Sequence, residues 1–188
     1  MKRRDVMSAL FAAVLGSTLM LAHAAAGAAP GGDVRVHVSW APTASLSEVR
    51  DNPTQRGWMR PQEWQKQLAD YLVRRADALL PPGQTLDVHI DDIKLAGAFE
   101  PWRGPDSQDI RFMKDIYPPR IQLHFKLLDA DGKVLREGDR KLQDLAYLQH
   151  SLPNSIDPLG YDKRLIGNWL SREFRRDQAA GTGAQRGA

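Results

Sequence analysis

The chain has 188 residues, 42% of them apolar, with 26 Lys and Arg against 23 Asp and Glu, and it contains no cysteine. That length suits one domain able to bury most of its potential apolar surface without staples. The missing cysteine excludes thiol catalysis, thiolate metal sites and a lipid-bearing cysteine, so stability must come from a packed core.

Lys2, Arg3 and Arg4 precede an apolar run from about Ala9 to Ala22, and small residues at Ala22 and Ala24 flank His23. This three-part layout predicts a secretory signal peptide over residues 1–24, cleaved after Ala24, and a periplasmic product. The run is short for a bilayer span, so no transmembrane anchor is expected once it is removed. Arg3-Arg4 fits an ordinary charged start and loosely resembles a twin-arginine signal, which leaves the export route open. Residues 25–32 read as a flexible start, 33–176 as a single domain and 177–188 as a disordered tail. The leader carries two of the three net positive charges and residues 175–188 two more, through Arg175, Arg176 and Arg186 against Asp177, leaving the body near −1. Such a balanced body gives no electrostatic footprint for nucleic acid.

In "DVRVHVSW", Val34, Val36, Val38 and Trp40 alternate with Arg35, His37 and Ser39, the period of a half-buried strand. A polar loop follows through "SEVRDNPTQRGWMR". Pro61 then suits a first helical position, and Trp64, Leu68, Tyr71, Leu72 and Leu79 recur at helical spacing until "PPG" stops the ladder. "TLDVHIDDIKLAG" predicts a second strand with a change of phase. Leu86, Val88 and Ile90 share one face, Ile93 and Leu95 the other, so a bulge near Asp91-Asp92 is needed to return both halves to the core.

"AFEPWRGPDSQ" is a loop punctuated by proline and glycine. Ile110 and Phe112 then alternate with Arg111 and Met113 as a short strand. Pro118-Pro119 lacks two backbone donors and predicts a corner, after which Ile121, Leu123, Phe125 and Leu127 alternate as a long inner strand. "DADGK" supplies a tight turn with Gly132 free to take positive φ, and "VLREGDRKL" returns as its hairpin partner. An irregular or briefly helical connection leads to Asp157-Pro158, a cap and first turn. Leu165, Ile166, Trp169, Leu170 and Phe174 then form one helical stripe. The order predicts an α+β domain: a mainly antiparallel sheet of four to five strands with two helices packed on one face, leaving the other face polar. The first two strands, separated by the long helix, are candidates for a parallel pair.

Four segments, "TLDVHIDDIKLAG", "DIRFMKDIYPPRIQL", "DADGKVLREGDRKL" and "YDKRLIGNWLSREF", occur in the order and register of the bacterial domain of unknown function 3016, which the chain resembles over nearly its whole mature length. The resemblance implies a small exported envelope protein of Gram-negative bacteria with an acidic residue at the position of Asp162. It transfers no activity and no catalytic residues.

Nucleophile elbows, phosphate loops and zinc-protease helices are absent from the sequence, and no cofactor is expected. His37, His89 and His124 fall on the polar side of three strands and could converge on a metal if those strands are neighbours, with Asp87 and Asp91 beside them; histidine also serves simply as a polar face residue. "DADG" starts like a calcium loop, but the twelfth position from Asp129 is Arg140, so a hairpin turn is the expectation. Glu100 beside Trp102 could bind a sugar of the cell wall, or the tryptophan could plug the core. Asp109, Arg111, Lys114, Asp115, Tyr117 and Arg120 gather around the proline corner. They suit internal pairing of Asp109 or Asp115 with Arg111 or Arg120 first, and also an interface patch for an envelope protein partner; the two uses are not exclusive. The fold and compartment thus point to a non-enzymatic partner-binding protein, with a metal-binding or hydrolytic protein and a sugar-binding module as alternatives.

Overall fold

The computed structural model describes residues 34–52, 58–150 and 156–184, with side chains through Phe174. The predicted leader, its cleavage site and the flexible start lie outside the described residues.

The first alternating segment is β1 (Val36–Trp40). Within the expected polar loop, Ser47–Arg50 form the single-turn α1, which places Glu48 inward. Helix α2 (Pro61–Asp77) begins on its proline, with Glu63 reaching back to the Arg60 amide at 3.1 Å. It stops ahead of Pro81, and Arg35 caps its end by donating to the Asp77 and Pro81 carbonyls at 3.1 Å each.

Strand β2 (Thr85–Lys94) runs parallel to β1 and antiparallel to β5 (Arg120–Leu128). The change of phase seen in the sequence is a bulge. Ile90 stands opposite Leu123 and Asp92 opposite Gln122, so Asp91 is the extra residue. It lets Val88 and Ile90 before it and Ile93 after it all stay buried. Strand β6 (Val134–Gln143) pairs antiparallel with β5 across the Asp129–Lys133 turn. There Gly132 takes φ 78° and the Asp129 carboxylate accepts the Asp131 and Lys133 amides, as a turn rather than a calcium loop demands.

The main sheet has the order β1-β2-β5-β6, four strands, mixed and mainly antiparallel. It gains no fifth strand from the segment before the prolines. Arg111–Phe112 form β4, which pairs with β3 (Ala98–Phe99) in a separate two-stranded ribbon. The reason is local: the Pro/Gly-rich loop, with Gly104 at φ 111°, turns the chain back on itself before the corner is reached.

Helix α3 (Gly160–Ala184) follows the Asp157 cap, whose carboxylate accepts the Leu159 amide at 3.0 Å. It runs past the end of its apolar stripe into the stretch read as a tail, where "RRDQAA" keeps good helix formers. Buried residues of α2 and α3 share one core with those of β1, β2, β5 and β6. At its centre, Phe125 packs edge-to-face on Trp169 and Phe174 at 5.9 and 6.3 Å, while Trp40 meets Trp64 at 5.7 Å. Gly167 lets the two helices approach closely, since a Cβ there would stand 2.7 Å from the Tyr71 hydroxyl.

Strand β6 faces this core with Arg136, Gly138, Arg140 and Leu142. Arg140 lies over the Phe125 ring at 4.8 Å and binds both Glu173 oxygens of α3 at 2.8 and 2.9 Å. Inward charges on an edge strand tie it to the helix and hinder further strand pairing.

Candidate functional site

The proline corner is a corner. Ile121, Leu123 and Phe125 directly after it are 1%, 1% and 0% exposed, and the preceding residues form no helix. It is held from three directions. The Gly97 amide donates to the Tyr117 carbonyl at 3.0 Å, the Asp144 amide to that of Pro119 at 3.4 Å, and the buried Tyr147 hydroxyl to that of Lys114 at 2.8 Å.

Arg111 is the internal brace of this region, through a carboxylate other than those expected. Its side chain is 5% exposed and pairs in bidentate fashion with Glu48 of α1, Nη1 to Oε1 at 2.8 Å and Nη2 to Oε2 at 3.2 Å. Neither Asp109 nor Asp115 takes that place, because β4 turns the guanidinium inward while both aspartates stay exposed. The remaining donors of Arg111 reach the carbonyls of Ala96 (2.6 Å), Leu95 (3.0 Å) and Gly97 (3.1 Å), and the rings of Trp58 and Phe99 cover it at 4.7 and 5.1 Å. Glu48 also accepts the Leu95 amide at 3.0 Å and the Asn52 side chain at 3.3 Å.

Behind this pair lies Asp162, in the first turn of α3 and 1% exposed. Its Oδ1 accepts the Ala96 amide at 3.1 Å, and Oδ2 meets no donor among the described residues. Burial pushes its carboxyl up to about 7, against the opposing pull of Arg111 and the Ala96 amide. Glu48 was invisible as a site residue because a four-residue helix has too little length to show a period. Asp162 is flagged only by the family resemblance.

A second knot sits around Glu100. Its buried carboxylate accepts from Lys114 Nζ at 2.6 Å, Tyr117 Oη at 2.8 Å and Arg103 Nε. The Lys114 hydrogen bond, outweighing burial, holds the carboxyl down at about 2, and the same carboxylate raises the Tyr117 phenol. Glu100 and Trp102 therefore point apart: the carboxylate faces inward to three donors, whereas the indole is 72% exposed.

On the outer side of the corner is a cleft of about 330 Å³, lined by Ile116, Leu145, Tyr117, Pro118 and Arg120, with Leu95 and Gly97 among its inner walls. Ile116 and Leu145 are 72% and 70% exposed. Arg120 and Asp115, also on its lining, are engaged in no ion pair among the described residues.

A three-histidine site requires β1, β2 and β5 to be neighbours, and they are. His89 faces His124 on one side and Ser39 on the other, but His37 faces Asp87. His89 Nδ1 lies 2.8 Å from Ser39 Oγ and His124 Nδ1 2.7 Å from Asp139 Oδ1, so each ring is oriented by its own neighbour. Among the described residues no three His, Asp or Glu side chains are grouped to hold a metal ion.

These features define a mainly antiparallel α+β protein with buried carboxylates at Glu48, Glu100 and Asp162 near the proline corner. Residues 34–172 match the family model described as "Protein of unknown function (DUF3016)", and the chain belongs to that family. No curated protein matches it. It is similar to the crystal structure of protein XCC0632 from Xanthomonas campestris, of the DUF330 family, at 12% identity and a TM-score of 0.35, over 81% of this chain and 88% of that one. Among the described residues no helix is long and apolar enough to cross a membrane.

Proposed function

We propose that this is an exported, periplasmic, non-enzymatic domain that binds a protein partner of the cell envelope at the cleft beside the proline corner. In this reading both long helices cover one sheet face and the corner stands at the end of the sheet. The observation that carries it is the grouping of two exposed apolar side chains, Ile116 and Leu145, with a cation and an anion, Arg120 and Asp115, that form no ion pair among the described residues, on a backbone already fixed by three hydrogen bonds. A pre-ordered surface loses little entropy on binding, and the apolar pair supplies the area that polar rims do not. The partner surface that fits is an apolar side chain flanked by opposite charges. Of the six residues first singled out, Arg120, Asp115 and the Tyr117 edge line the cleft, Lys114 braces Glu100, and Arg111 acts from within. Site-specific photo-crosslinking in cells from Ile116 and Leu145 tests this. Capture of one discrete envelope protein is expected, and its loss on Arg120→Glu; no capture there while positions on α2 do capture would overturn it.

A second reading rests on Trp102, whose exposed ring offers a stacking platform for a sugar. It predicts retention on peptidoglycan that Trp102→Ala abolishes.

A further inference from the structure

The Leu95–Gly97 segment is clamped on both sides of its backbone. Its successive amides, Leu95 and Ala96, donate to two different buried carboxylates, Glu48 and Asp162, and its three carbonyls all accept from Arg111. The opposite surface of the same segment, through Leu95 and Gly97, lines the corner cleft. The clamp and the cleft share one wall.

Among the described residues the charges of the clamp do not balance. Two carboxylates, each 1% exposed, face one guanidinium, and both terminal nitrogens of that guanidinium are directed at Glu48. Among the described residues the groups that face Asp162 are Arg111 from β4, Glu48 from α1, the Ala96 amide from the connection after β2 and its own amide in α3, and its Oδ2 finds no donor among them. An ionised Asp162 thus places a second negative charge in a site built for one. A buried charge without a partner either takes up a proton or opens its surroundings to water.

We propose that Asp162 is a proton-operated latch: protonated, it keeps the Leu95–Gly97 wall of the cleft closed, and ionisation loosens that wall together with the first turn of α3. The consequence for binding rests on the cleft being the partner surface, whereas the latch itself requires no partner. In the closed form burial raises the carboxyl, and in an opened form water returns it to the ordinary aspartate range, so opening releases a proton. The sign follows: the opening constant rises by about tenfold per pH unit between roughly pH 4 and 7 and levels off above. Acid closes the latch.

Amide exchange measured on the full chain, corrected for intrinsic rates, tests this at Ala96 and Gly97. Between about pH 5 and pH 6.5 their protection should fall roughly twentyfold in the wild type and less than about threefold in Asp162→Asn. An equal pH response in both proteins, or none in the wild type, overturns the latch. Should the variant fail to fold, the carbon-13 titration of the Asp162 carboxyl in the wild type decides: a midpoint near 7 supports the proposal, and one near 4 overturns it. Crosslinking from Ile116 at about pH 5.5 and 7.5 separates the two readings. Capture that depends on pH only in the wild type supports the gating. Capture equal at both values overturns the gating and keeps the partner surface. Capture at neither, with the exchange response intact, removes the partner surface and keeps the latch.

Discussion

Replacing Arg111 with methionine asks how much of the corner depends on one guanidinium. The variant keeps part of the stem contact with Trp58 and Phe99 but removes the cation from between them. Glu48 then stays buried without its guanidinium, keeping the Leu95 amide and Asn52 among its donors, and the carbonyls of Leu95, Ala96 and Gly97 each lose a donor. Stranding one partner of a buried pair costs about 3–5 kcal/mol. Each lost carbonyl bond to the guanidinium is worth about 1–3 kcal/mol taken singly, but because all three share the same donor the terms overlap with one another and with the stranding cost and are not additive. The expected loss is about 5 kcal/mol, comparable to the lower end of total stability for a domain, or roughly 10–20 °C in Tm. Urea unfolding followed by tryptophan fluorescence reads it, with Trp58 as a reporter 4.7 Å from the substituted group. Adding Glu48→Gln removes the stranded charge and should restore about 2 kcal/mol. Arg103→Ala, on a side chain that is 47% exposed, should cost less than about 1 kcal/mol. An Arg111→Met protein within about 1 kcal/mol of the wild type, or one not rescued by Glu48→Gln, would refute the buried-brace argument.

Gly97→Ala and Gly132→Ala should separate strain from space. Both glycines have φ 78°, but a Cβ at Gly97 would lie 2.7 Å from Met113 Sδ and 2.8 Å from the Phe112 carbonyl, whereas Gly132 has nothing within 4 Å. About 1 kcal/mol is expected at Gly132 and at least about 3 kcal/mol at Gly97, by chemical denaturation. Glu100, with its carboxyl held down at about 2, contributes stability that is present above the ordinary glutamate value and lost as pH falls from about 4.5 through 2. Glu100→Gln should therefore flatten the drop in denaturation midpoint over that acid window, and an unchanged slope would discount the knot. Glu173→Gln should weaken the attachment of α3 to β6 by about 1–3 kcal/mol and speed exchange along β6, because Arg136 and Arg140 lose their shared carboxylate.

What the sequence determined by itself is everything that depends on the chain's local period or on backbone restrictions. Alternation in β1, β2 and β5, the stripes of α2 and α3, the Asp129–Lys133 turn and the proline corner all follow from side-chain direction and from missing donors, which neighbours in sequence fully specify. Even the bulge at Asp91 is legible, since a one-residue slip moves Ile93 and Leu95 to the wrong face unless it is corrected. Other features required the tertiary structure. Two-residue strands and a one-turn helix are too short to carry a period, so the pairing of β3 with β4 and the inward Glu48 had no signature. The choice of partner for each charge was likewise undetermined. Arg111 had Asp109 and Asp115 close by in sequence, yet it meets Glu48 from 63 positions away, and Ala96 meets Asp162 from 66. Ionic bonds form between whatever groups the fold buries together, and proximity along the chain counts for little once the backbone has turned the side chain inward.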